Sequence, residues 1–246
     1  MKQPQCTLNS KFLAAVLLLS ILSPHLYAEQ EGDFTYSVKD GAAAITKYTG
    51  AGDAVTIPDK IGGLPVRTID IGVFSGNDKL TSVKIPPGVI SHELWGFQAY
   101  DPLVSITVDP ANPAYRSVDG VLFDKKGTKL LKYPSKKTAK HYDIPKGVTR
   151  IGLAAFNGAA GLTSVTIPSS VTDIEANNFG GYGSLTSVTF DGNAPKFGGT
   201  VFYQTPANLT ISYYKGSTGF TTPEWKIPPS MRPVKTIEAN RPSGSK

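Results

Sequence analysis

The chain of 246 residues carries one cysteine, two methionines and three histidines, and only 18% of its residues are charged. A lone cysteine closes no internal disulfide, and Cys6 precedes the first apolar stretch instead of following it, which is the wrong side for a lipoprotein attachment. Three histidines and one cysteine offer little to a zinc ion. Charge is too scarce for a long-helix or coiled-coil protein, and no apolar run reaches the 18 or so residues of a membrane span. The net charge of +6 contains no Lys/Arg block, which weighs against a nucleic-acid partner. What the chain has in quantity is glycine and proline, 25 and 19 residues, or about 18% against roughly 12% on average. With 40% hydrophobic residues there is still enough to bury a sizeable core. Such a composition fits a turn-rich β protein.

Residues 1–28 have the layout of a secretory signal peptide. Lys2 and Lys11 form a positive region, Phe12 to Leu22 is apolar apart from Ser20, and Pro24 with Leu26-Tyr27-Ala28 leads to acidic Glu29 and Glu31. Cleavage is expected after Ala28. It would remove Cys6, Lys2, Lys11 and His25, leaving about 218 residues with a charge of +4 and no thiol. Such a domain is held together by packing alone.

The rest of the chain repeats. Val66, Ile69 and Phe74 recur as Val148, Ile151, Phe156 and as Val171, Ile174, Phe179, with Val89, His92, Phe97 as a variant. Six, nine and eleven residues after each phenylalanine comes a second set: Leu80, Val83, Ile85; Leu103, Ile106, Val108; Leu162, Val165, Ile167; Leu185, Val188, Phe190. The phenylalanines fall at 74 and 97, then at 156, 179 and 202, and neighbours in each run differ by 23 residues. A fixed period of this size marks a solenoid, whose units cannot bury their apolar faces singly. Alternation in the second set reads as a short strand, which Pro58, Pro86, Pro145 and Pro168 should end, because proline lacks a ladder donor. The Val-x-x-Ile segment and the phenylalanine should form the opposite wall, in extended, turn or short helical form, with a phenylalanine column inside.

Leu162-Thr163-Ser164-Val165-Thr166-Ile167-Pro168 and Val171-Thr172-Asp173-Ile174 resemble the BspA-type leucine-rich repeats of bacterial surface and secreted proteins. Asp33 to Phe74, with Tyr48-Thr49-Gly50, Val55-Thr56-Ile57-Pro58 and Gly63-Leu64-Pro65-Val66, looks like that family's usual opening unit. The likeness covers roughly residues 33–226. It lacks an asparagine ladder, and of the family's usual alanines before the phenylalanine only Ala155 remains, with Val73, Gly96 and Asn178 in the equivalent places. The resemblance implies a mainly β, right-handed leucine-rich-repeat-like solenoid of ~23-residue repeats, with short parallel strands on one face and turns or short helices on the other. It also implies adhesion to proteins or cell surfaces, without enzymatic activity. Its expected parts are an opening unit at 33–65, repeats at 66–111, a hairpin insert at 112–134, repeats at 135–190 and a capping repeat at 191–239. Residues 240–246 read as a loose tail. Asp119-Gly120, between Tyr115–Val118 and Val121–Phe123, is the turn of the hairpin. The insert reads either as a decorated repeat or as a break between two sub-arrays, and one continuous array is the favoured reading.

Residues between the buried strand positions should face outwards in two columns. Ser82, Ser105, His141, Ser164, Ser187 and Thr210 form one; Thr56, Lys84, Thr107, Lys132, Asp143, Thr166, Thr189 and Ser212 form the other. This exposed sheet face is the candidate site for a protein or glycan partner, the hydroxyls suiting hydrogen bonds. Threonine's strand propensity and serine's solubility account for the same residues without a ligand. His141, Asp143 and Lys132 come nearest to a catalytic cluster, but no activated-serine motif accompanies them. No cofactor or metal is implied. Gly50-Ala51-Gly52-Asp53 lacks the Lys-Ser/Thr of a phosphate loop, and Asp191-Gly192-Asn193 lacks the carboxylates of a calcium loop. His92 and Trp95 are expected in the core, and Trp225 as a lid over the last repeat. A carbohydrate-binding or structural envelope role is the alternative.

Overall fold

The computed structural model describes residues 28–70, 72–91, 102–180, 184–226 and 234–241. Twenty strands and no helix occur among them. The opening unit holds β1 (Glu29–Glu31), β2 (Phe34–Lys39), β3 (Ala42–Tyr48), β4 (Ala54–Thr56), β5 (Lys60–Ile61) and β6 (Leu64–Ile69). Then come β7 (Ser82–Ile85) and β8 (Ser105–Val108), followed by β9 (Tyr115–Val118), β10 (Val121–Asp124) and β11 (Lys129–Lys132). The second array runs through β12 (His141–Asp143), β13 (Arg150–Ile151), β14 (Ser164–Ile167), β15 (Asp173–Ile174), β16 (Ser187–Phe190), β17 (Lys196–Phe197) and β18 (Thr210–Tyr214). β19 (Glu224–Trp225) and β20 (Val234–Ala239) close it. The expected signal peptide lies outside the described residues apart from Ala28, as do His92, Trp95, Phe97 and the tail beyond Arg241.

Alternation in the second set of apolar residues decides the front wall. β12-β14-β16-β18 pair in parallel without a register shift, so His141, Ser164, Ser187 and Thr210 align, as do Tyr142, Val165, Val188 and Ile211. Partners such as His141 and Ser164 are 23 residues apart. Val165, Ile167, Val188, Phe190 and Ile211 point inwards and are buried. On the opposite wall β11-β13-β15-β17 also pair in parallel and carry Ile151 and Ile174 into the same core. Between the walls Phe156, Phe179 and Phe202 form the expected column, with centroids 5.1 and 5.3 Å apart, and Tyr133 stacks on Phe156 at 5.3 Å.

Turns follow the back-wall strands, for a stereochemical reason. Gly72, Ala154, Asn177 and Thr200 occupy the same place in their units, two residues before a phenylalanine, and all have positive φ, at 72°, 52°, 59° and 60°. A left-handed residue cannot continue a right-handed helix, so the chain turns there. The leading threonines have a structural task too. Thr163 and Thr186 each donate Oγ1–H to a carbonyl one turn back, those of Lys140 and Thr163, at 2.8 and 3.3 Å, and Thr149 and Thr172 do likewise on the back wall.

The front wall is not continuous across the insert. β4-β7-β8 form a separate three-stranded sheet, and β12-β14-β16-β18-β20-β19 another of six. The back wall divides similarly, into β1-β2-β3-β6-β5 and β17-β15-β13-β11-β10-β9. The β9–β10 hairpin is the partition, with Asp119 and Gly120 both at positive φ, 49° and 76°, as its two-residue turn requires. All of Val121, Leu122 and Phe123 are buried, yet they serve different cores: Val121 and Phe123 pack with the C-terminal cluster and Leu122 with the N-terminal one. The expected single array is thus two packed cells sharing a wall.

Tyr133 lies in this core with its hydroxyl buried and without a hydrogen-bond partner among the described residues, and burial pushes its pKa up to about 12. An unpaired buried hydroxyl costs on the order of 1–3 kcal/mol. Tyr133→Phe keeps the stack on Phe156, so it should raise the urea midpoint by the equivalent of about 1 kcal/mol at unchanged m-value.

Candidate functional site

The outward columns form two patches. On the three-stranded sheet, Ser82 and Ser105 are half-buried neighbours, and Lys84 and Thr107 are exposed neighbours. On the six-stranded sheet the first column reads His141, Ser164, Ser187, Thr210, Lys235 and the second Asp143, Thr166, Thr189, Ser212, Ile237. Neighbouring strands lie about 4.8 Å apart, and alternate residues along a strand about 6.7 Å. The hydroxyls therefore form a rectangular array.

Within this array the hydroxyls differ in what they already bond. Ser164 and Thr166 are engaged by His141 and Asp143. Ser187, Thr189, Thr210 and Ser212 have side chains half-open to solvent and no side-chain hydrogen bond within the described protein. That separates them from Thr163 and Thr186, whose hydroxyls serve the fold.

His141 stands at the array's margin on β12. Its Nε2 is 2.9 Å from Asp143 Oδ1, and its Nδ1 is 2.7 Å from Ser164 Oγ on the next strand. Hydrogen bonds from His141, then Thr166, hold the Asp143 carboxyl below the usual carboxylate range. The His141 and Asp143 side chains are 50% and 74% exposed, so the group is open to solvent. The 23-residue period places Ser164 next to His141 in one outward column, and the structure adds the hydrogen bond between the two side chains.

Lys132 is a correction. It does not lie on the exposed face but on β11 of the back wall, where it is 1% exposed and donates from Nζ to the Asn157 carbonyl at 2.8 Å. Pro134 made the segment resemble a front strand. Leu130 takes the register of Ile151 instead, and alternation then turns Lys132 inwards with Leu130. Lys132 is accordingly not beside His141.

The other singled-out residues serve the fold. Trp225 is buried against Phe197, Phe220 and Phe190, at centroid distances of 5.3, 4.8 and 6.3 Å, as a lid over the last repeat. Gly50 and Asp53 present carbonyls to Asn77 Nδ2 and to the Thr81 amide, so their loop offers acceptors where a phosphate needs donors. Asn193 Oδ1 accepts from the Thr218 amide, and burial raises the Asp191 carboxyl. Among the described residues no three His, Cys, Asp or Glu side chains gather as metal ligands, and no helix is long and apolar enough to cross a membrane. Asn112 and Asn178, which sequence reasoning did not rank as core residues, are fully buried clamps.

Six copies of the BspA type leucine rich repeat region match the chain, over residues 53–126 and 132–220. The chain belongs to the BspA-type leucine-rich repeat family. The resemblance read from the Leu-Thr-Ser-Val-Thr-Ile-Pro segment is thereby established, and the solenoid with it. A leucine-rich repeat protein from Eubacterium ventriosum is 21% identical, with a TM-score of 0.49, over 67% of this chain and 43% of that one. The chain thus spans less than half of that relative. The pneumococcal vaccine antigen PcpA is 15% identical, with a TM-score of 0.41 over 76% of this chain and 82% of its own. A leucine rich cell surface protein from Faecalibacterium prausnitzii is 18% identical, with a TM-score of 0.36 over 79% and 90%. No curated protein matches the chain.

Proposed function

We propose that this BspA-type repeat protein is exported, loses residues 1–28, and acts outside the cell as a non-catalytic, adhesion-like module that binds a protein partner through its front face. The single observation that carries the reading is the array of Ser187, Thr189, Thr210 and Ser212, four hydroxyls with no hydrogen bond to the rest of the described protein. A rigid sheet presenting unspent donors and acceptors makes many contacts at little entropic cost. We read the coil as right-handed, the hand that parallel crossovers take in nearly all cases, with a turn of about 23 residues.

A protein partner fits this face better than a glycan. Sugar recognition leans on an open aromatic face. Trp225 is buried, and Tyr214, the outward ring on β18, has the Arg241 guanidinium over it at 5.2 Å. End-to-end assembly into a layer also fits poorly, since the Trp225 aromatic cluster closes one end of the coil.

The test uses the mature chain immobilised and probed with matrix proteins, envelope extracts and a glycan array. Thr189→Glu with Ser212→Glu addresses the six-stranded patch, and Lys84→Glu with Thr107→Glu the three-stranded one. An unpaired carboxylate buried in a contact costs several kcal/mol. Saturable binding to a protein should therefore fall about a hundredfold in one double variant, with circular dichroism unchanged. Binding kept by both would move the site off the front face, and glycan-only binding would replace the protein reading.

A further inference from the structure

We propose that Ser164 is a surface nucleophile that takes one acyl group from an activated ester, with His141 as its base and Asp143 as the residue that orients the imidazole. The inference is independent of the binding reading. It rests on the chain of contacts from Asp143 Oδ1 to His141 Nε2 at 2.9 Å and from His141 Nδ1 to Ser164 Oγ at 2.7 Å.

The proton positions follow from one fixed charge. An ionised carboxylate only accepts, so in the neutral ring Nε2 carries the proton that meets Asp143. Nδ1 is then a lone pair, and the Ser164 hydroxyl donates to it. Thr166 bonds the same carboxylate from the next strand and helps keep it ionised. Ser164 is half-buried on the outward face, and its proton is already directed into a base.

The same wall contains its own controls. Ser187 and Thr210 follow Ser164 in the column, on strands of identical register, without an imidazole opposite them. Any difference in reactivity between Ser164 and Ser187 therefore reports on His141 and not on strand geometry.

In the reaction Ser164 Oγ attacks the carbonyl carbon of the ester and forms a new C–O bond. The C–O bond to the leaving group breaks, and the serine proton passes to His141 Nδ1 and on to the departing oxygen. Nothing is oxidised or reduced. The amides of β14 are engaged in the ladders to β12 and β16, and the Ser164 amide bonds the Lys140 carbonyl, so none is left to cradle an oxyanion. This confines Ser164 to donors with good leaving groups and stops the chemistry at the acyl-serine, one per chain, without turnover. The substrate class is a small activated acyl ester. The exposed His141 and Asp143 side chains leave a way in to the half-buried Ser164 without a lid.

The experiment treats the mature protein with 4-nitrophenyl acetate near neutral pH and locates acetyl groups by peptide mass spectrometry. A positioned base contributes roughly 10²–10⁴-fold, and an exposed one belongs at or below the lower end. Ser164 should therefore acetylate about ten- to a hundredfold faster than Ser187. His141→Ala should erase that excess with circular dichroism intact. Asp143→Asn should reduce it and also shift His141 away from the Nε2–H tautomer in ¹⁵N spectra, a signature that loss of a merely structural contact elsewhere would not produce. Acetylation of Ser164 no faster than Ser187, a rate unchanged by His141→Ala, or acetyl found on His141 alone would each overturn the proposal.

Discussion

Asn178→Leu should lower the free energy of unfolding by about 3 kcal/mol or more, at roughly 1 kcal/mol for each of three hydrogen bonds and extra for any group left buried and unpaired. Asn178 is fully buried. Its Nδ2 donates to the carbonyls of Gly152 and Glu175 at 2.9 and 2.7 Å, and its Oδ1 accepts from the Phe156 amide at 3.3 Å. One side chain thus ties its own turn to the one before, between the rings of Phe156 and Phe179. Leucine has similar bulk but answers none of the three groups. Alanine, the usual residue at this place in the repeat, should cost less than leucine because it demands less room. Urea unfolding, with midpoints compared at unchanged m-value, measures both. A loss under 1 kcal/mol for leucine would mean that water or a shifted backbone replaces the clamp. Asn112 plays the same part at the start of the insert, donating to the carbonyls of Pro86 and Val89 at 2.7 and 2.9 Å and accepting from the Ala114 and Tyr115 amides.

Lys132→Glu should be comparably severe, about 3–5 kcal/mol, the range measured when one partner of a buried charged contact is removed. The Lys132 side chain is buried, and its ammonium group donates to the Asn157 carbonyl. A carboxylate there would set acceptor against acceptor with no water to screen them. Lys84→Glu makes the parallel case, because Lys84 is exposed on β7 and its change should stay within about 0.5 kcal/mol. Equal effects in the two variants would mean that Lys132 reaches solvent. A domain of this kind has on the order of 5–15 kcal/mol in all. Loss of either buried clamp would consume a large part of it, and the front face would then lose its rigidity along with the fold.

Much of the front wall was legible in the sequence because alternation and period are one-dimensional signals. Val165 and Ile167 alternate with Ser164 and Thr166, and that alone divides buried from exposed positions. The period of 23 then places Ser164 beside Ser187 and Phe156 beside Phe179. The back wall was harder to read, since β13, β15 and β17 are two residues long and a left-handed residue at Ala154 or Asn177 leaves no compositional mark of the kind glycine leaves at Gly72.

By itself, then, the sequence determined the repeat, the inward set of apolar residues, the outward hydroxyl columns and the Asp-Gly hairpin, all of which follow from local spacing and side-chain parity. Three things were decided only by the tertiary structure. β11 joined the back wall and took Lys132 inside; β10 divided one expected array into two cores; and Asn112 and Asn178 became buried clamps between turns. Each depends on which segments, distant along the chain, become neighbours. Pairing between strands is settled by what the packed core can bury, and no stretch of sequence a few residues long contains that information.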